Sequence, residues 1–261
     1  MLDRWTARFW PAYENILANK YCETEIADIA ARYRCYAREL KIQILGLNGP
    51  WRSWRPNIRL SGKTHLQKAL EGGHGAILWV AHAAFSTLIV KMALHNAGYQ
   101  TVQLSRPGHG FSSSHFGVRF LNPLWTRVED RFISKRVLII GETATEALAV
   151  LRARLAANRV IIIITVGPDA HKFAQVSFFQ THLRIPTGPI RLARTTGAAL
   201  LPVFSVARDN GAFDVTIEEP LDPTCGQDGD EHIAAAYAKQ LEALVLKFPD
   251  QWAGWKRTLP P

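Results

Sequence analysis

The chain has 261 residues, of which 48% are hydrophobic and 20% charged, and its formal net charge is +9. That length suffices for one large domain burying roughly three quarters of its unfolded surface, and the three cysteines, Cys22, Cys35 and Cys225, are too scattered for a disulfide framework or a metal site. The positive charge points to an acidic partner. Without a recognition-helix, zinc-finger or aromatic ribonucleoprotein motif, the choice falls on an anionic membrane surface or an acidic carrier protein, and not on nucleic acid.

At the N-terminus, Leu2, Trp5, Phe9, Tyr13, Ile16 and Leu17 recur at three- and four-residue spacing, which predicts an aromatic stripe on a helix kinked at Pro11. With Arg4 and Arg8 beside it, the stripe suits either a membrane-interface segment or packing on the domain. No small-residue cleavage site follows, so a secretory signal is not expected. The longest mainly apolar stretch, Ala76 to Val90, falls short of the ~20 residues a bilayer crossing needs. Ile26, Ile29, Ala30, Tyr33, Ala37, Leu40 and Ile44 predict a second helix, with Gly46 near its end. Trp51 and Trp54, each followed by an arginine, then read as an interfacial loop or an ordinary turn.

From residue 57 short apolar runs alternate with helical stretches, which predicts an α/β domain with a mostly parallel sheet. Strands are expected at 76–81, 99–105, 136–141, 160–165 and 198–207, and helices at 63–71, 84–97, 122–134, 143–157, 188–196 and about 229–248. Asp209-Asn210-Gly211 predicts a hairpin joining the last long strand to Phe213–Ile217 at the sheet edge. The expected architecture is a single α/β domain over 57–261, its mostly parallel central sheet flanked by helices, preceded by N-terminal helices over 1–56.

His82 ends the apolar run Ala76 to Ala81 and precedes the helical stretch from Ala83. A buried strand that delivers an imidazole to the positive end of a helix is an arrangement for proton transfer, although a core histidine bonded to backbone fits the same residues. Thr187-Gly188-Pro189 opens a short helix and suits either an anion-binding amino terminus or a tight turn with proline in the first helical turn. His109, His115 and Arg119 lie in the Gly- and Ser-rich stretch Pro107 to Gly117, expected as a mobile cover. Phe111, Phe116, Phe120, Leu124 and Trp125 are candidates either for lining an apolar groove or for ordinary core.

Several segments together resemble the lysophospholipid acyltransferase superfamily, in particular its lipid A biosynthesis (lauroyl/myristoyl) acyltransferase branch. They are Ile58-Arg59-Leu60-Ser61-Gly62, the strand ending at His82, Phe178-Phe179, Thr187 to Arg194, Thr196-Gly197-Ala198, Pro202-Val203-Phe204, Pro249-Asp250-Gln251-Trp252 and Trp255-Lys256-Arg257. The resemblance spans about residues 57 to 257. It implies a glycerolipid acyltransferase-like fold and transfer of a fatty acyl group from an acyl thioester to a hydroxyl or amine of a lipid-like acceptor. The donor would be acyl carrier protein or acyl coenzyme A, used as co-substrate with no further cofactor and no metal. It also implies a cytoplasmic enzyme, peripheral on the cytoplasmic face of the inner membrane.

The family signature is His-x-x-x-x-Asp/Glu, with the histidine as general base and the acid orienting it. His82 takes the first place, but the acidic position is Thr87, whose hydroxyl fixes a tautomer without balancing an imidazolium. A second acid that the branch carries after the strand at 160–165 is here Thr165. Asp169 is the leading candidate to compensate, and Glu142 the second. Arg106 matches a basic residue that meets the acceptor's phosphate or carboxylate. The alternative is a catalytically degenerate member that acts as a lipid-binding or partner subunit.

Overall fold

Five runs predicted as strands lie side by side in the computed structural model, which describes residues 21–50, 54–139, 144–164, 172–224, 229–254 and 258–259. They are β2 (Ala76–Val80), β3 (Thr101–Ser105), β4 (Lys135–Leu138), β5 (Val160–Ile164) and β8 (Ala199–Ala207). With β1 (Ile58–Ser61) and β9 (Phe213–Ile217) they form a seven-stranded sheet in the order β1-β9-β8-β2-β5-β3-β4. The chain is an α/β fold with a mostly parallel central sheet flanked by helices. β8, β2, β5, β3 and β4 are parallel, while β9 returns antiparallel to β8. The hairpin at Asp209-Asn210-Gly211 forms as expected, but β9 is not the edge, because β1 pairs outside it. Ile58 and Leu60 alternate with polar residues and give β1 one face to bury.

The sheet is covered on both sides by α1 (Glu23–Asn48), α2 (Lys63–Glu71), α3 (Ser86–Asn96), α4 (Asn122–Glu129), α5 (Ala144–Ala156), α6 (Gly188–Thr196) and α7 (Asp230–Lys247). Successive side chains of a strand point to opposite faces. Ile77 and Trp79 of β2, with Ala81 just after it, therefore join the cluster under α5, α6 and α7, and Ala76, Leu78 and Val80 join the one under α2, α3, α4 and the carboxyl half of α1. The single helix expected over 122–134 is instead α4, led in by a π-helical turn at Gly117–Leu121 and followed by a 3-10 turn at Asp130–Phe132. A second sheet of β6 (Phe173–Phe178), β7 (Thr181–Pro186) and β10 (Thr258–Leu259) was not expected, although both long strands alternate strictly between buried and exposed positions.

Two adjacent strands set the location of the site. After β2 the chain crosses over through α3 on one face of the sheet, whereas after β5 it continues into the β6–β7 hairpin and α6 on the other. β2 and β5 are neighbours in register, with Val80 opposite Ile164 at their carboxyl ends. Where adjacent connections leave to opposite faces an open α/β sheet has a crevice beyond its carboxyl edge. His82 follows β2 at that edge.

Candidate active site

The segment carrying His82 is a tight strand-turn-helix. Ala81 still donates to Val203 of β8 (2.9 Å), and Ser86 closes the turn with its Oγ on both the N–H (3.2 Å) and the carbonyl (2.9 Å) of Ala83. Phe85 takes a left-handed φ of 53° immediately before α3, a conformation uncommon for a bulky side chain. It is held there by its buried ring, which meets Phe213 at 5.0 Å and Trp54 at 6.0 Å. Trp54 is thus a packing residue of the turn. Masked from simple periodicity is the brace on the other side: Ala253 N–H donates to the His82 carbonyl (2.8 Å) and Ala84 N–H to the Gln251 carbonyl (2.6 Å). The Gln251 side chain in turn bonds both backbone groups of Ala207 at the end of β8 (2.6 and 2.8 Å). The half-buried imidazole is carried on backbone fixed from three directions.

The other candidate residues divide by face. Thr87 lies in the first turn of α3, buried, and its Oγ1 has no hydrogen-bond partner among the described residues. Arg106 follows β3 on the same carboxyl edge and is half-buried; β5 alone separates β3 from β2, so the two strands lie roughly 10 Å apart. Thr187 caps α6 on the opposite face of the sheet from α3, with Gly188 exposed and Pro189 buried. The Thr187 Oγ1 is buried, also without a hydrogen-bond partner among the described residues. Asp169, Glu142, Thr165, Cys225, the aromatic stripe of the first twenty residues and the Trp51-Arg52 pair lie outside the described residues.

A buried ion network beneath this edge went unread in the sequence. Glu129, fully buried at the end of α4, lies 2.6 Å from the fully buried Lys91 ammonium and 2.9 Å from both His109 Nε2 and an Arg136 guanidinium nitrogen. Its other oxygen accepts from Trp125 Nε1 at 2.8 Å. Arg136 extends the network to Gln103 (3.2 Å) and Ser105 (3.1 Å) on β3, next to Arg106, and to Asp130. Burial alone would raise the Glu129 carboxyl, but Lys91, His109 and Arg136 hold it well below the usual carboxylate range. Desolvation pushes Lys91 down to about 8, with Glu129 opposing. Lys91 sits one turn after Thr87, hence on the same stripe of α3. The readable signal was a lone lysine in the apolar helix Leu88 to Leu94, which its charge disguised as a surface residue.

The network also fixes the stretch Pro107 to Gly117, which is anchored and not a loose cover. His109 is held by Glu129, and Asn122 bonds the Ser112 backbone in both directions (3.0 and 2.8 Å). A Cβ on Gly110 would come within 2.6 Å of Asn122, and one on Gly117 within 2.2 Å of Ser112. The candidate groove residues separate accordingly. Phe111 packs edge-on against buried Trp125 at 5.0 Å, while Phe116 and Phe120 are exposed. A cleft of about 470 Å³ opens nearby, between α1 and the end of β8, with Arg32, Tyr36, Arg208 and Phe248 among its walls. Gln251 separates it from the His82 turn, and neither His82 nor Arg106 lines it.

Residues 39–258 match the model of the bacterial lipid A biosynthesis acyltransferase family. The chain belongs to this family. Among curated relatives, phosphatidylinositol mannoside acyltransferase of Mycolicibacterium smegmatis is 28% identical over 194 residues, covering 72% of the chain and 58% of the relative. That of Mycobacterium tuberculosis strain H37Rv is 27% identical over 199 residues, 74% of the chain and 57% of the relative. The chain spans somewhat more than half the length of these relatives. Among solved structures, the 1-acyl-sn-glycerophosphate acyltransferase PlsC of Thermotoga maritima aligns over 97% of this chain and 100% of that one, with a TM-score of 0.42 and 16% identity.

Proposed function

We propose that this family member transfers a fatty acyl group from a carrier-protein or coenzyme A thioester to a hydroxyl or amine of a lipid-like acceptor. The observation that carries the reading is His82 on a braced turn at the carboxyl edge, beside the β2/β5 crevice and before the amino terminus of α3. The imidazole takes the proton as the acceptor oxygen or nitrogen bonds to the thioester carbonyl carbon. Collapse of the resulting oxyanion breaks the carbon–sulfur bond, and the imidazolium returns the proton to the leaving thiolate. Asp169, or the Thr87 hydroxyl once it turns toward the ring from a position without a hydrogen-bond partner among the described residues, orients the imidazole, and Arg106 engages the acceptor's phosphate or carboxylate. The Gly188 N–H opening α6 holds an anionic group of donor or acceptor; the Thr187 N–H is taken by the Lys172 carbonyl (3.1 Å) and Pro189 contributes no N–H.

The test is transfer of a labelled acyl chain from acyl carrier protein to lipid acceptors by the purified chain. His82→Ala is expected to slow transfer by about 10²–10⁴-fold. Equal rates for the variant and the wild type overturn the assignment. The neutral Thr87 at the acidic motif position favours a second reading, a lipid-binding subunit without turnover. That reading predicts acceptor binding and no transfer under any donor.

A further inference from the structure

We infer that the π-helical turn Gly117–Leu121 and the phenyl group before it form a rigid wedge that docks this chain on an anionic lipid bilayer surface. Three large apolar side chains stand in solvent together there: Phe116 is 66% exposed, Phe120 55% and Leu121 39%. The two rings lie 5.0 Å apart and make one apolar spot. Their exposure does not come from fraying. Ser114 Oγ accepts from Gly117 N–H (3.1 Å), Val118 N–H donates to the Ser114 carbonyl (2.8 Å), and the doubly bonded Ser112–Asn122 pair closes the base. A preformed wedge enters a bilayer interface without first losing conformational entropy.

Charge selects the occupant. The Arg119 guanidinium lies 5.6 Å from the Phe120 ring centroid, and Arg127 and His115 are exposed to either side in sequence. From Arg106 to Val128 the chain has three arginines and no acidic residue. Phenyl groups with a guanidinium group beside them fit acyl chains beneath phosphate headgroups. The wedge is reached through the anchored stretch from Pro107, which leaves β3 after Arg106 at the carboxyl edge that also carries His82. The inference rests on the acyl-transfer reading only in supposing a lipid acceptor, and its test reads binding without turnover.

The test is co-sedimentation of the purified full chain with vesicles of phosphatidylglycerol and phosphatidylcholine, and with phosphatidylcholine alone. Wild type is expected to bind the anionic vesicles, more weakly as salt rises. Phe116→Ser/Phe120→Ser is expected to lower the partition coefficient by at least about tenfold. Arg119→Glu keeps both rings and is expected to lower it by about fivefold or more, on anionic vesicles only. Both variants should melt at the wild-type temperature, since the changed side chains are exposed. His82→Ala should bind as wild type does, so loss of the catalytic assignment leaves this result standing. Wild-type partitioning by Arg119→Glu together with the ring variant overturns the wedge, as does failure of the wild type to bind. Weakened binding to acyl carrier protein, or loss of a dimer, with vesicle binding intact overturns it in favour of that occupant.

Discussion

The two faces of the central sheet are held by different physics. Under α5, α6 and α7 the centre is a stack, Trp79 on Tyr237 at 4.0 Å with Phe204 beyond at 6.0 Å, and a stack of this kind is stabilised by apolar area and ring geometry. Under α3 and α4 lies a carboxylate enclosed by an ammonium, a guanidinium, an imidazole and an indole. The first face is held by packed apolar surfaces and ring contacts, whereas the second fixes charge-to-charge distances between α3, α4, β4 and the segment after Arg106 at once. It is the second face that carries His82's helix and the segment after Arg106. A buried network of this sort contributes little net stability compared with well-packed apolar residues, but leaving one member unpaired is costly. The contrast suggests that positional definition near the edge is what the charges supply.

The comparison is broken hardest at Glu129. Glu129→Gln leaves Lys91 buried against a neutral amide and is expected to cost about 3–5 kcal/mol in denaturant unfolding; a loss under about 1 kcal/mol would show that the charged face is not energetically distinct. A smaller effect concerns Lys91 and pH. Its folded value of about 8 lies below the 10.5 of an ordinary lysine, so the unfolded chain binds more protons between those limits. Its contribution is full above 10.5 and falls away as pH drops through about 8. The stability difference between wild type and Lys91→Met should therefore move in the wild type's favour from pH 8 to pH 10, and a flat difference refutes the buried charge. The smallest effect belongs to the apolar face. Tyr237→Leu keeps most of the apolar volume and should cost about 1–2 kcal/mol by thermal melting, with no dependence on pH.

Much of the fold was legible because period and length decide it locally. Val160 to Ile164 reads as a doubly covered strand, and Asp209-Asn210-Gly211 as a hairpin, without knowledge of any neighbour. β1 and the β6–β7 hairpin were harder. Ile58-Arg59-Leu60-Ser61 alternates over only four residues, and Phe173 to Phe178 lies between the strand expected at 160–165 and the helix expected at 188–196, where no element was expected. Within the site, the position of His82 was readable from strand and helix period alone. The brace from Gln251 and Ala253 was not, since it joins residues about 170 positions apart through backbone atoms that every residue carries.

The sequence by itself determined the alternation of strands and helices, the family to which the chain belongs and the imidazole at the end of a buried strand. These follow from periodicity and from residue types in order, which are local properties. Only the tertiary structure decided that Lys91 is interior, that Glu129 gathers Lys91, His109 and Arg136, and that Phe116 and Phe120 face outward. The reason is that a charge or a ring has no fixed preference for inside or outside until its neighbours are in place. A lysine is stable in the core when a carboxylate from another helix meets it, and a phenyl group is left in solvent when a turn held by Ser112 and Asn122 gives it nowhere to pack.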